Sequence, residues 1–445
     1  GLWFFLGVLQ DIVAKDPLVT LDTRLHNCVP LFRTSGMTWL MFVLTHLGGA
    51  VFLSLLCLAA GLFALAHNRP RLAATFVIAL AGSALVSGVL KVLVGHARPM
   101  DAIITQGNAS FPSGHLLSGA VVYGLLAAVL LTSRARRGAR ALGVVLLALV
   151  TVGIGLSRLY VGVHWPSDLL GSLALALMLL PALLFFLHYS KPIPGIDTFQ
   201  LPVRARTTKI AGTCVLAIGL GSAFVFASHR TLLPIGPPPA RHAINIAALR
   251  SALPMDIPRQ SEDLVGGKME PISLVLVGSE QDLVEGFARA GWARADLATP
   301  VRVARATLAA VRGLPDATAP VTPAFFDEYP EGLAFEKPGA DTTSIRQRHH
   351  TRLWQTRYCL APDCRPVWVA TASYDVGVGL SKRLHLPTHR IDPAIDTERE
   401  LIASDLAQAG GTRQGILAVL PSLRGSNAAG DEFSTDGRAI VLVLP

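Results

Sequence analysis

The chain has 445 residues, of which 51% are hydrophobic and only 16% are charged, and its net charge is +9. Soluble domains carry about 25% charged residues, so this composition excludes an ordinary soluble protein and is typical of a membrane protein. Most arginine in the first half lies in short links between apolar runs, which indicates membrane topology rather than nucleic-acid binding. The second half has a mixed composition, so two domains in different solvents are predicted.

Seven apolar runs in the first half predict membrane-spanning helices. Roughly 20 apolar residues cross a hydrocarbon core of about 30 Å as a helix, and the shorter runs need flanking residues to complete a span. The runs are 2–13, 37–66, 72–94, 116–132, 141–156, 169–188 and 210–228. The first run is short and the sequence opens inside it, so we expect the chain to be part of a longer protein.

The links between these runs predict the orientation. Residues 67–71, 133–140 and 189–209 carry ten Lys or Arg in total, and all three links fall on the same side of the membrane. The positive-inside rule assigns that side to the cytoplasm. The outer side then holds residues 95–115, 157–168 and everything after 228. We expect this side to be the periplasmic side of a bacterial inner membrane.

The remainder of the chain reads as a soluble domain joined through the linker "PIGPPPARH". The segments "ISLVLVG", "PVWVATASYDVGVG" and "GRAIVLVLP" predict strands, and "SEQDLVEGFARAG" and "DTERELIASDLAQAG" predict helices. We therefore expect a membrane domain at 1–190 with six spans, the first truncated, and a cytoplasmic loop with a seventh span at 191–230. A soluble extracytoplasmic α/β or α+β domain is expected at 231–445.

Two cysteines in the second half, Cys359 and Cys364, bracket the short segment "CLAPDC". A disulfide between them suits an oxidising compartment such as a periplasm. A metal-binding pair is the alternative, and it is disfavoured because no second cysteine pair stands at zinc-site spacing.

Three polar clusters lie at the outer ends of the apolar runs. They are Lys91 and Arg98 in "KVLVGHARP", Ser113, Gly114 and His115 in "FPSGH", and Arg158, His164 and Asp168 in "SRLYVGVHWPSD". Taken singly, each has a structural explanation: cations reaching lipid headgroups, a helix cap, and a histidine–tryptophan belt at the interface. Those explanations do not account for Arg158 and Asp168, nor for the common side of the three clusters.

Together the clusters hold the groups that phosphoryl transfer requires. The helix start in "FPSGH" offers backbone N–H groups and a positive dipole end to an anion, and Gly114 lets that anion approach closely. Asp168, four residues after His164, can reach back to one imidazole nitrogen and leave the other as a nucleophile. No carboxylate cluster stands ready to hold magnesium, so side chains supply the positive charge and we expect no metal and no other cofactor.

The motifs resemble the three-part signature of the type 2 phosphatidic acid phosphatase superfamily, which shares its site with vanadium haloperoxidases. The matching residues are Lys91, Arg98 and Pro99, then Pro112, Ser113, Gly114 and His115, then Ser157, Arg158, His164 and Asp168. The resemblance covers roughly residues 2–188 and implies an all-α polytopic membrane helical bundle. It also implies that His164 attacks phosphorus to form a phosphohistidine, that Asp168 orients it, and that His115 protonates the leaving group. The phosphate oxygens would be held by Lys91, Arg98, Ser113, Gly114 and Arg158.

The second half resembles the LssY-like C-terminal domain through "RQRHHTRLWQT", "PVWVATASYD" and "THRIDPAIDTERE", over roughly residues 240–445. In longer relatives a DedA-like membrane domain precedes the phosphatase, and we expect this chain to come from such a protein. A second, metal-binding site could be drawn from His349, His350, His385, His389, Asp392, Asp396 and Glu398. Their spacing matches no helix-borne or finger-type ligand set, so surface hydrogen bonds and helix caps are the favoured interpretation.

The leading hypothesis is therefore an integral membrane lipid phosphate or diphosphate phosphohydrolase, with its site on the outer face and a lipid phosphate as its substrate. Undecaprenyl diphosphate, phosphatidic acid, phosphatidylglycerol phosphate and lipid A phosphates all remain open as substrates. A vanadate-dependent haloperoxidase is one alternative, although several spans argue against it. A membrane scaffold or envelope and secretion partner with a vestigial phosphatase site is the other.

Overall fold

The structure is a computed structural model, and it describes all residues except 15–16, 108, 190–204, 229–239, 313, 315, 317, 340–346, 381 and 383–386. The chain divides into two compact units, Gly1–Gly236 and Pro237–Pro445. Most of the predicted linker and cytoplasmic loop, and His385, lie outside the described residues. Each unit is described by itself.

The first unit is a helical bundle. Its helices are α1 Leu2–Ala14, α2 Pro17–Cys28, α3 Ser35–Leu47, α4 Ala50–Ala66, α5 Pro70–Val94, α6 Gly114–Leu131, α7 Arg137–Tyr160, α8 Pro166–Tyr189 and α9 Ala205–Ser228, with a 3₁₀ turn at Val29–Phe32. Within the described residues, five helices, α5 to α9, are long and apolar enough to cross a membrane. The prediction of a polytopic all-α membrane bundle is confirmed.

The prediction of one continuous span over 37–66 is wrong, because this run forms two helices, α3 and α4, which are bent by 52°. The bend falls at Gly48 and Gly49, where a Cβ on Gly48 would lie 2.5 Å from the Ile154 side chain. Only glycine permits such a close approach to α7. With α3 and α4 counted as one broken span, the described residues hold up to six spans, and α1 is an apolar helix of 13 residues.

The bundle is organised around α6, whose buried side chains include Leu117, Val121 and Leu125. It packs against α5, α7 and α8. By contrast, α7 exposes large apolar side chains such as Leu149 and Val152, as expected of a helix that faces lipid. Successive helices α5 to α8 run up and down, so the end of α5, the start of α6, the end of α7 and the start of α8 lie together.

The second unit is an α+β domain built on one large mixed sheet. Its strands are β1 His242–Ile244, β2 Gln260–Glu262, β3 Lys268–Pro271, β4 Leu274–Val277, β5 Ala293–Arg294, β6 Phe325–Phe326, β7 Tyr329–Pro330, β8 Leu333–Pro338, β9 Arg348–Leu360, β10 Arg365–Leu380, β11 Pro387–Ile391, β12 Thr412–Ala418, β13 Leu423–Ser426, β14 Glu432–Thr435 and β15 Arg438–Val443. Its helices are α10 Ile246–Ser251, α11 Glu280–Arg289, α12 Pro300–Arg312 and α13 Ile395–Gln408.

The large sheet has the order β12-β15-β4-β10-β9-β8-β5, with β1 beside β9 and β11 beside β10. Most neighbours are antiparallel, while β15 and β4 are parallel. The strands and helices predicted from the sequence are present: β4, β10 and β15 are the three strands, and α11 and α13 are the two helices. A capping box formed by Ser279 and Asp282 starts α11, which explains why the helix begins directly after β4.

The two faces of the sheet have separate cores. On one face, Leu353 of β9 packs with Leu274 and Phe335 beneath α11 and α13. On the other face, Trp354 packs with Val275 and Val369. Neighbouring residues of a strand point to opposite faces, so the residues at 348, 350 and 352 share the face of Trp354.

A disulfide joins Cys359 and Cys364 at the turn between β9 and β10, across a sequence separation of five residues. The register places Cys359 opposite Pro366, directly before the turn. The bond therefore closes a hairpin whose strands lie in the centre of the large sheet.

We expect the double variant Cys359→Ser and Cys364→Ser to lose about 2 kcal/mol of unfolding free energy, because a small closed loop restricts the unfolded chain. Denaturant unfolding of the full chain in detergent, followed by circular dichroism, measures this loss. Wild type under reducing conditions should behave like the double variant, and Cys214→Ser, an exposed free cysteine, should unfold like wild type. Identical midpoints for the double variant and wild type would contradict the prediction.

Candidate functional site

The three polar clusters meet at one end of the helical bundle. Lys91 lies in the last turn of α5 and Arg98 in the following loop, while Ser113, Gly114 and His115 form the start of α6. Arg158 lies in the last turn of α7, His164 lies in the short connection to α8, and Asp168 lies in the first turn of α8. Residues that are up to 77 positions apart in sequence therefore share one site.

The pair at its centre is His164 and Asp168. The His164 Nδ1 atom lies 3.1 Å from Asp168 Oδ2, and both side chains are buried, at 1% and 0% exposure. Burial lowers the pKa of His164 below its ordinary value, so the ring is neutral at neutral pH. Its other nitrogen, Nε2, lies 3.4 Å from Arg98 Nη1. The ring thus has one nitrogen on a carboxylate and the other beside a cation.

The Asp168 carboxylate has further partners that position it. The backbone N–H of Trp165 donates to Oδ2 over 2.9 Å, and the Ser110 hydroxyl donates to Oδ1 over 3.3 Å. His96 Nδ1 lies 3.2 Å from the same Oδ1. Asp168 also lies at the N-terminus of α8, where the helix dipole favours a negative charge.

The three cations are held by neutral oxygens. Lys91 Nζ donates to the carbonyl oxygens of Ala109, over 2.6 Å, and of Ser110, over 3.1 Å. Arg98 donates to the carbonyl oxygens of Val163 and Ala109. These contacts hold the side chains in place.

The third cation, Arg158, is buried at 1% exposure. It donates to the Thr45 hydroxyl over 2.6 Å and to the Gln106 side-chain oxygen. Thr45 belongs to α3, so Arg158 links the bent helix pair to the loop between α5 and α6. A buried guanidinium tied to two elements is well placed to bind an anion without moving.

The start of α6 contributes both backbone and side-chain groups. Ser113 is the N-cap residue, its N–H donates to Ser172 Oγ over 2.8 Å, and its own hydroxyl is buried with no hydrogen-bond partner in the described part of the chain. A Cβ on Gly114 would lie 3.1 Å from Ser87 Oγ, so glycine keeps α6 close to α5. The unused hydroxyl and the helix N-terminus form an anion-binding pattern.

His115 lies one residue further on, beside the break between α3 and α4. A Cβ on Gly49 would be 3.8 Å from His115 Nε2, and one on Gly48 would be 3.2 Å from the His115 carbonyl oxygen. Because neither glycine has a Cβ, the break between α3 and α4 can pack closely against the first turn of α6. The bend between α3 and α4, which the sequence did not predict, therefore lies next to His115.

Sequence reasoning missed two positioning groups. His96 lies inside the quoted segment "KVLVGHARP", two residues before Arg98, and could have been found as a histidine at the same helix end. Asp22 lies in α2, which carries no motif. It accepts hydrogen bonds from the Ser167 N–H over 2.8 Å and the Ser167 hydroxyl over 2.5 Å, and thereby anchors the first turn of α8 next to Asp168.

The described members of the second polar group that the sequence singled out, which exclude His385, lie in separate hydrogen bonds and ion pairs. Across the described residues, no three or more His, Cys, Asp or Glu are arranged to hold a metal ion. His349 pairs with Glu398 at 2.9 Å, and Asp392 accepts from the backbone of Ala394. These contacts are the hydrogen bonds and turns that the favoured interpretation predicts, whereas His350 and His389 both lie against Asp375.

Each of the two units contains a region that matches a known protein family. Residues 72–192 match the model of the PAP2 superfamily, and residues 255–439 match the model of the LssY C-terminus. The first match contains all eight residues of the three polar clusters.

Individual relatives match part of the chain. "Phosphatidylglycerophosphatase B" of Bacillus subtilis (strain 168) is 28% identical over 181 residues, which cover 40% of this chain and 89% of that protein. "Putative undecaprenyl-diphosphatase YbjG" of Escherichia coli (strain K12) is 35% identical over 125 residues, which cover 27% of this chain and 58% of that protein.

A solved structure, a transmembrane PAP2-type phosphatidylglycerolphosphate phosphatase from Bacillus subtilis, is 25% identical to this chain. It matches with a TM-score of 0.38, and the match covers 43% of this chain and 96% of that one. The chain thus resembles the PAP2 superfamily over residues 72–192, which lie in the helical bundle, and the LssY C-terminus over residues 255–439, which lie in the second unit.

Proposed function

We propose that the protein hydrolyses lipid phosphates or diphosphates through a phosphohistidine intermediate on His164. The observation that carries this proposal is the buried His164–Asp168 pair. The second ring nitrogen of His164, Nε2, lies 3.4 Å from Arg98 Nη1, in the same cluster as Lys91, Arg158 and the start of α6. A neutral imidazole next to three cations and an open helix N-terminus combines a nucleophile with a site for a phosphate group.

In the first step, His164 Nε2 attacks phosphorus. A P–N bond forms, the bond from phosphorus to the leaving oxygen breaks, and that oxygen takes a proton from His115. Asp168 accepts the Nδ1–H hydrogen bond and stabilises the positive charge that develops on the ring. Lys91, Arg98, Arg158, Ser113 and the backbone at Gly114 neutralise the nonbridging oxygens, whose charge is the main electrostatic demand of phosphoryl transfer.

In the second step, water attacks the phosphohistidine. The P–N bond breaks, inorganic phosphate leaves, and His164 returns to its neutral form. His115, deprotonated in the first step, accepts the proton of the attacking water. Each proton is thereby restored at the end of the cycle, and the side-chain cations supply the charge that a magnesium ion supplies in other phosphatases.

The substrate class follows from the position of the site. Its residues lie at the ends of membrane-spanning helices, a place where a lipid headgroup can reach them while its chains stay in the bilayer. The names of the two curated relatives, a phosphatidylglycerophosphatase and an undecaprenyl-diphosphatase, both describe phosphorylated lipids and support the same class. The positive-inside pattern supports a site that opens on the periplasmic side of the inner membrane.

Replacing the nucleophile tests the mechanism. We expect His164→Ala to lower phosphate release by at least about a thousandfold, because losing a covalent nucleophile removes the pathway rather than a binding contribution. The measurement is inorganic phosphate released in detergent, with EDTA present, from phosphatidylglycerol phosphate, phosphatidic acid and undecaprenyl diphosphate. Wild-type activity should survive EDTA. His67→Ala, at an exposed histidine whose ring contacts the Phe63 carbonyl oxygen at the end of α4, is the matched control and should keep wild-type activity. Equal rates for His164→Ala and wild type would refute the assignment.

Variants of His96 test whether this residue positions Asp168. His96→Phe removes the contact to Asp168 Oδ1 and should lower kcat about tenfold with KM nearly unchanged, because it disturbs a positioning residue and not substrate binding. The negative charge of Asp168 is then compensated by fewer partners and acts more strongly on His164, which raises the pKa of His164. The acidic limb of the pH–rate profile should therefore move to higher pH. His96→Gln, which can still donate to Asp168, should restore most of the rate. A fall in activity without any shift of the profile would show that His96 has only a structural role.

Orientation can be measured by cysteine labelling of intact cells. With the native free cysteines replaced, Met100→Cys and Met255→Cys, both at fully exposed positions, should react with a membrane-impermeant maleimide. Arg136→Cys, in the basic link between α6 and α7, should react only after permeabilisation. Labelling of Arg136→Cys in intact cells, or protection of Met100→Cys, would reverse the proposed topology.

A further inference from the structure

The last helix of the first unit, α9, begins after the region that matches the PAP2 superfamily, which ends at residue 192. Its packing nevertheless brings it close to the proposed phosphatase site. The helix packs against α3 and α4, the bent pair whose break lies next to His115. A helix outside the matched region therefore contacts an element that borders the site.

A polar contact joins Ser222 of α9 to His46 in the last turn of α3. The His46 Nε2 atom lies 2.9 Å from Ser222 Oγ. The Ser222 hydroxyl donates its hydrogen to the Gly219 carbonyl oxygen over 2.7 Å, so its oxygen accepts the bond from His46. The ring of Phe226 lies against the same imidazole, with 4.7 Å between the ring centroids. The His46 side chain is thus held by α9 through a hydrogen bond and ring packing.

The backbone of His46 belongs to the break between α3 and α4. Its carbonyl oxygen accepts from the Gly49 N–H over 2.8 Å. Both glycines of the break lie against His115: a Cβ on Gly49 would be 3.8 Å from His115 Nε2, and one on Gly48 would be 3.4 Å from the His115 Cβ. A shift of the last turn of α3 would therefore move the surface against which the His115 side chain packs.

The end of α9 makes a second contact with the loops of the site. Ala227 is buried in one apolar cluster with Ile103, from the loop between α5 and α6, and Val163, from the connection between α7 and α8. Val163 directly precedes His164, and its carbonyl oxygen accepts from Arg98. The helix therefore borders the site at two places, the break between α3 and α4 and the connection that carries the proposed nucleophile.

The bond between Ser222 and His46 has a direction, which apolar packing lacks. Histidine and serine side chains that bond across membrane helices hold the helices together, and the narrow geometry of the bond also limits their rotation. The same turn of α3 carries Thr45, which accepts from Arg158, but Arg158 is also held by Gln106 of another loop. Loss of the bond from α9 should therefore act mainly on the glycine break and the histidine beside it.

We propose that α9 is part of the phosphatase site and that Ser222 is a positioning residue, which acts through His46 on the proposed general acid His115. This inference rests on the proposed function, because it assigns a role within that reaction. A displaced acid slows substrates whose leaving oxygen needs a proton, and it spares substrates whose leaving group departs without one.

The test compares two leaving groups in the full chain in detergent. Phosphatidic acid releases an alkoxide that needs a proton, whereas 4-nitrophenyl phosphate releases a stabilised phenolate. The measured quantity is kcat/KM, which reports on the first step of the proposed mechanism. Ser222→Ala should lower kcat/KM at least about tenfold for phosphatidic acid and less than about threefold for 4-nitrophenyl phosphate.

Matched variants separate positioning from general packing. Ser222→Thr keeps the hydroxyl and should restore most of the rate with phosphatidic acid. Thr213→Ala removes an exposed hydroxyl of the same helix, which donates to the Lys209 carbonyl oxygen, and it should behave like wild type. His46→Phe keeps a ring beside Phe226 without the bond and should show the same selective loss. The double variant with Ser222→Ala should lose little more than either single variant.

The outcomes distinguish this inference from the proposed function. If Ser222→Ala loses equal activity with both substrates, the helix stabilises the fold and does not position the acid, and the inference is overturned. Unchanged hydrolysis of phosphatidic acid by Ser222→Ala overturns it as well, while an active wild type leaves the proposed function intact. A wild-type protein that releases no phosphate from any lipid phosphate overturns both.

Discussion

A carboxylate removed from water at the end of a helical bundle has to be compensated by donors, and the membrane site depends on how Asp168 meets that requirement. Its partners come from two loops: His164 and Trp165 lie between α7 and α8, and His96 and Ser110 lie between α5 and α6. The carboxylate thereby ties the ends of four helices together. The same bonds that satisfy a buried charge also position the proposed nucleophile.

The cations around the His164–Asp168 pair are also held by hydrogen bonds to oxygen atoms. Lys91 and Arg98 are anchored by carbonyl oxygens, and Arg158 by a hydroxyl and an amide oxygen. These anchors fix the positions of the three side chains, which are the phosphate-binding groups of the proposed mechanism. Asp168, the one carboxylate in the proposed machinery, is turned towards His164 and His96. In the proposed mechanism, the region that activates the nucleophile is therefore separate from the region that binds the phosphate.

The two units carry their buried polar groups at different places in the fold. In the membrane unit they lie at helix ends, where loop carbonyls and helix termini are available as partners. In the soluble unit they lie in the middle of a sheet face, where the period of two along β9 and β10 places Arg348, His350 and Arg352 opposite Asp375 and its neighbours. A sheet face that is otherwise filled by valine and tryptophan would pack more easily with apolar residues. This polar stripe therefore depends on pairing between its own charged groups, such as Arg348 with Glu336 and Asp375.

The amino-acid sequence by itself determined the features that depend on neighbours along the chain. Apolar runs indicated the spanning helices α5 to α9, alternation and caps indicated β4, β10, α11 and α13, and the spacing from His164 to Asp168 indicated a pair within one helical turn. Only the tertiary structure decided the break at Gly48 and Gly49, since it arises from the approach of Ile154 on another helix. It also revealed Asp22, whose partner Ser167 is 145 residues away, and the contacts of His350 and His389 with Asp375. The physical reason is the same in each case: periodicity and capping act over a few residues, whereas close packing and the pairing of buried polar groups join segments that no local pattern connects.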